Sequence, residues 1–97
     1  MMTYGEGKQV TASDTTAIWT PSEAKANNLS AYVVGSEPVY VLANCTIAEF
    51  DVMYAAGKAI RVSSGMSFNF NGDQYVNIKC VCYRTASSTS AVDFAAF

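Results

Sequence analysis

Histidine is absent from the chain. That removes the commonest general base, the commonest metal ligand and every Ser-His or Cys-His catalytic pairing. Charge is scarce as well: Asp, Glu, Lys and Arg make up 14% of the residues, against about 25% in an ordinary soluble domain. The six Lys and Arg are scattered and the net charge is −2, so no basic patch exists to hold a nucleic-acid backbone. There is no apolar run of membrane-spanning length. The opening "MMTYGEGKQV" has neither a basic region nor an apolar stretch, so it does not read as a signal peptide. A reducing cytosol, or a particle assembled there, is the expected setting.

What remains is apolar: 51% of the 97 residues are hydrophobic. A disordered chain would show the opposite balance, so one folded domain with a sparsely charged surface is expected. Residues 1–17, "MMTYGEGKQVTASDTTA", are polar and read as a solvated N-terminal arm, or as an arm that orders on a neighbouring subunit. "TPSEAKANN" carries a helix start, with Thr20 as cap, Pro21 at the first position and Glu23 three residues after the cap. It is too short for more than a turn or two.

From Leu29 onward the pattern is β. "LSAYVV" ends at Gly35-Ser36, and "PVYVLAN" begins with a proline, tolerated at a strand's first residue. "TIAEFDVMY" alternates, which as a strand places Ala48, Phe50, Val52 and Tyr54 on one face and Glu49 and Asp51 on the other. "AAGKAIRV" holds a turn at Gly57-Lys58 and a short strand. "GMSFNFNGDQ" sets Met66, Phe68 and Phe70 against Ser67, Asn69 and Asn71, and stops at Asn71-Gly72, a hairpin-turn dipeptide. "YVNIKCVCYR" is the longest strand, and "SAVDFAAF" closes the chain after "TASSTS". Short strands with frequent turns and no long helix predict an all-β fold. The expected form is a small antiparallel β-sandwich or jelly-roll-like barrel of about 6–8 strands over residues 18–97.

Three cysteines are the residues most suggestive of chemistry. In an extended strand over 75–84, Val76, Ile78, Cys80 and Cys82 share one face, and Tyr75, Asn77, Lys79, Val81 and Tyr83 the other. The first set is uniformly apolar, so Cys80 and Cys82 read as small hydrophobic side chains continuing the core stripe. Zinc sites use four Cys or His ligands, often in C-x₂₋₄-C pairs, and here there are three thiols in a C-x-C with a distant Cys45. The C-x-x-C redox motif is missing. A Cys80–Cys82 bridge is awkward in an extended strand. Cys45 could meet either thiol across the sheet, but a reducing setting favours free thiols. No metal, cofactor or catalytic residue is therefore expected.

Other candidates have plainer readings. Glu49 and Asp51 fit the solvent face of a half-buried strand. Asn71, Asp73 and Gln74 offer oxygen ligands, but lack the closing Glu of an EF-hand and suit a hairpin turn. The aromatics Trp19, Tyr40, Tyr83 and Phe97, on a surface poor in charge, suggest a protein–protein interface. Trp19 and surface Tyr residues could equally serve a small carbohydrate- or receptor-binding module as stacking platforms.

The run from "AIWTPSEAKANNLSAYVV" through "PVYVLAN" and "KAIRVSSGMSFNFNGDQYVNIKCVCYR" to "STSAVDFAAF" resembles small β-sandwich virion proteins of tailed bacteriophages. These include head decoration (cement) proteins and short head-fibre or spike-base proteins. The resemblance lies in the succession of strands and turns over residues 17–97; three cysteines and a short arm depart from it. It implies a non-enzymatic structural protein binding the major capsid protein or another virion protein. It further implies a homo-oligomer, with a trimer favoured, located on the capsid surface.

Overall fold

The computed structural model describes residues 5–22, 27–72 and 77–97. Its described elements are eight strands and one helix: β1 (Glu6–Ala12), β2 (Ala17–Trp19), β3 (Asn28–Val33), β4 (Val39–Ala43), α1 (Ile47–Ala55), β5 (Ile60–Val62), β6 (Ser67–Asn71), β7 (Val81–Arg84) and β8 (Ser90–Ala96). They form two four-stranded antiparallel sheets, ordered β1-β8-β3-β6 and β2-β7-β4-β5. The chain changes sheet repeatedly, so most hydrogen-bonded neighbours are distant in sequence. Of the two expected forms, this is the small antiparallel all-β sandwich.

Register decides which side chains meet. In the first sheet, Val10, Val92 and Val33 lie in one cross-strand row, and Phe94, Ala31 and Phe68 in the next. These rows face inward, and Val92, Phe94, Ala31 and Val33 are buried. From the second sheet, Val39, Val41, Val62, Val81 and Tyr83 join the same core. The two inner faces thus make one continuous apolar layer, the arrangement by which a β-sandwich holds together.

The outer faces differ. On the first sheet, the rows Gln9–Asp93–Tyr32–Ser67 and Gly7–Ala95–Ser30–Asn69 point outward. No described helix covers them. On the second sheet, the outer rows Ile18–Cys82–Leu42 and Tyr40–Arg84 lie on the side that carries α1. Tyr54 of the helix meets Tyr40 edge-on at 5.0 Å and lies under the Arg84 guanidinium at 4.2 Å. Phe50, one turn earlier, stacks with Tyr54 and is fully buried. The Thr16 hydroxyl donates to the Asp51 carboxylate, tying the helix to the segment before β2.

Three expectations are corrected. Residues 47–55 are a helix, not a strand. Thr46 caps it: the Glu49 amide donates to the Thr46 hydroxyl at 3.1 Å, and the Thr46 amide donates to the Glu49 carboxylate at 2.8 Å. This capping box satisfies two amides that a helix start otherwise leaves free, and Gly57 at φ 74 follows the far end. The polar N-terminal segment is not a solvated arm over its described length. Residues 6–12 pair with the whole of β8, and 17–19 pair with β7. An edge strand needs only half its side chains apolar, and here Val10 and Ala12 suffice. Third, β7 presents Val81 and Tyr83 to the core and turns Cys82 outward, the reverse of the expected facing. The short helix expected from Thr20 is not seen at Thr20–Ser22, and residues 23–26 lie outside the described residues.

Candidate functional site: a thiol-lined groove beside the helix start

Asn44 builds this site. It sits in the left-handed region at φ 58, which asparagine tolerates better than most residues. Its side chain spans to the segment before β7: Nδ2 donates to the Asn77 carbonyl at 2.8 Å, and Oδ1 accepts from the Lys79 amide at 2.6 Å. Its amide donates to the Cys80 carbonyl at 2.9 Å. The turn sends the chain out of β4 and up to the Thr46 cap, leaving Cys45 directly over the Cys80–Cys82 segment.

All three thiols gather there. The Cys82 Sγ donates to the Cys45 carbonyl at 3.3 Å and the Cys80 Sγ to the same oxygen at 3.6 Å, while the Cys45 Sγ points to the Leu42 carbonyl at 4.0 Å. All three are free thiols; Cys82 is fully buried, and Cys45 and Cys80 are half-buried. Both line an open groove of about 740 Å³ with Ile18, Ile47, Asn44, Glu49 and Lys79.

Burial pushes the Cys82 thiol up to about 12, helped by its hydrogen bond to Cys45 and by the neighbouring charges. Burial also raises Cys45; contact with Cys82 opposes that rise, and Cys80 and Glu49 reinforce it. Such thiols stay protonated at neutral pH and are weak nucleophiles. Among the described residues no group of three His, Cys, Asp or Glu is arranged to hold a metal ion. The chemistry open to the site is thiol packing and thiol–disulfide exchange.

The sequence's interface candidates do not form one patch. Trp19 is half-buried and stacks on Phe94 at 5.6 Å, so one ring face is already occupied. Tyr83, expected to face outward, lies in the core against Phe94 at 5.1 Å. Its phenol is raised by burial. Tyr40 is half-buried under Tyr54, and among the four only Phe97 is exposed. Glu49 and Asp51 are parted by the helix: Glu49 closes the cap, which holds its carboxyl below the usual range. Of the oxygen-rich turn, Asn71 accepts from Asn69 at 3.0 Å, and Asp73 and Gln74 lie outside the described residues.

No family model matches the chain, and no curated protein does. Solved structures share its fold. A protein of the Bacillus endospore appendages, which form a family of disulfide-linked pili, aligns with a TM-score of 0.60 at 18% identity, over 96% of this chain and 80% of its own. An HTH_3 family transcriptional regulator from Vibrio cholerae aligns with a TM-score of 0.59 at 10% identity, over 95% of this chain and 42% of its own. The chain therefore spans less than half of that regulator. A de novo designed double-stranded β-helix aligns at 0.50 and 14% identity, over 94% of this chain and 95% of its own. None of the three is a virion protein, and at these identities the likeness is one of fold.

Proposed function

We propose that this chain is a non-enzymatic structural protein of a phage particle, decorating the capsid surface as an oligomer. The observation that carries the reading is the uncovered outer face of the β1-β8-β3-β6 sheet. Its two central rows hold a single charge, Asp93, among small and amide side chains. At one end of this sheet, Tyr32, Val34 and Met66 are 45%, 49% and 59% exposed. Hydrogen bonds from Val33 to Met66 and from Val34 to Ala91 hold that end together. A flat face poor in charge, with exposed Tyr and Met, has the makeup of an interface core. The open edges β1 and β6 flank it, and association would shield them. The resemblance to phage decoration proteins agrees, as does the presence of this fold in the Bacillus spore pili.

The test is light scattering of the purified chain across a concentration series, paired with co-sedimentation on capsids assembled from the major capsid protein of the phage concerned. A trimer that binds capsids is expected, and Tyr32→Glu should abolish both without unfolding the domain. A monomer at every concentration that stays in the supernatant would overturn the reading.

A further inference from the structure

The thiol cluster is the second feature of the molecule that fold stability alone does not account for. A core stripe would need only apolar volume, yet Cys45 and Cys80 face a groove while Cys82 lies beneath them. Cys45 comes from the β4–α1 turn and Cys82 from β7, 37 residues on, and Asn44 fixes the approach.

We propose that Cys45 and Cys82 form an oxidisable pair, which a low-molecular-weight disulfide such as oxidised glutathione converts to an intramolecular disulfide through the groove. Distance favours this pair: the Cys82 Sγ is 3.3 Å from the Cys45 carbonyl, against 3.6 Å for the Cys80 Sγ. Cys80 and Cys82 are two residues apart in nearly extended chain, where a bridge is strained. Cys82 is shut off from solvent, so the reaction enters at Cys45. The Cys45 thiolate attacks one sulfur of oxidised glutathione, forming a mixed disulfide and releasing one glutathione. The Cys82 thiolate then attacks the Cys45 Sγ, forming the protein disulfide and releasing the second glutathione. Two protein thiols are oxidised, one disulfide is reduced, and the protons leave with the glutathione. The raised thiols make the exchange slow at neutral pH and faster as pH rises.

The product would join the residue preceding the helix cap to the middle of β7, locking α1 onto its sheet. Oxidation is thus expected to raise the melting temperature by constraining the unfolded chain.

The experiment is incubation of the folded, reduced full chain with oxidised glutathione, followed by alkylation, intact mass and peptide mapping. The expected product is a single chain, not cross-linked to another, lighter by two hydrogens, with a Cys45–Cys82 peptide and alkylation at Cys80 alone. Cys80→Ser should still cross-link and Cys82→Ala should not. A chain that keeps three alkylatable thiols, a stable glutathione adduct, a bridge involving Cys80, or a chain-to-chain disulfide would each overturn the proposal. The wild-type map is decisive without any variant.

Discussion

The Asn44 Oδ1 accepts from the Lys79 backbone amide at 2.6 Å, and this one contact positions the groove, the helix start and all three thiols. Asn44→Ala loses that bond and the one to Asn77, and puts alanine in the left-handed region, which asparagine tolerates better. Together these should cost about 3 kcal/mol. Asn44→Gly loses the same bonds without backbone strain and should cost about 1 kcal/mol less. Equilibrium urea unfolding of both variants checks this; equal losses would show that the backbone term is negligible.

Gly35 is a place where the fold has no room. A β-carbon there would collide with the Ser90 hydroxyl and stand 2.6 Å from the Ala91 nitrogen and 2.8 Å from the Ser90 Cα. The strand cannot slide away, because the Gly35 amide donates to the Ala91 carbonyl at 3.0 Å and its carbonyl accepts from Ser64 at 2.6 Å. Gly35→Ala should cost about 3 kcal/mol through overpacking against backbone. Gly65, at φ 77 with open space around it, carries strain alone, and Gly65→Ala should cost about 1 kcal/mol. The difference in urea midpoint between the two variants is the readout.

Phe50 and Val52 separate the helix from the strand that alternation suggests. A strand would put both on one face, but the helix buries Phe50 completely and leaves Val52 70% exposed. Phe50→Ala should therefore cost about 3–5 kcal/mol. Val52→Ala should fall within about 0.5 kcal/mol of wild type. Comparable losses at both positions would contradict the helix.

These positions also mark where the sequence is legible. The strands over 28–33, 39–43, 60–62, 67–71 and 90–96 follow from turn residues and period-two patterns, because each has one face on the core. Segment 47–55 is ambiguous: "IAEFDVMYA" satisfies a period of two and a helical i, i+4 pair, Phe50 and Tyr54, equally well. The signal that decides it is local, the Thr46-x-x-Glu49 capping box. The facing of β7 is unreadable for a related reason. Covered by α1 on one side and the core on the other, it is apolar on both, so alternation carries no information. β1 is concealed because an edge strand tolerates polar side chains. The thiol cluster depends on that hidden helix start, and so could not be assembled from the strand pattern.

The same cluster makes stability depend on pH in the alkaline range. Burial raises Cys82 from 9.0 to about 12 in the folded chain and raises Cys45 as well. Above pH 9 the unfolded chain releases these protons while the folded chain keeps them. The unfolded state is then favoured. The contribution is fully present below pH 9 and is lost progressively as pH climbs toward 12. Melting temperature followed by circular dichroism in reducing buffer should fall through that window. Cys82→Ala should flatten the part of the decline due to Cys82, although Tyr83, also raised by burial, leaves a residual slope. An unchanged slope in the variant would mean that Cys82 ionises as readily in the folded chain as in the unfolded one.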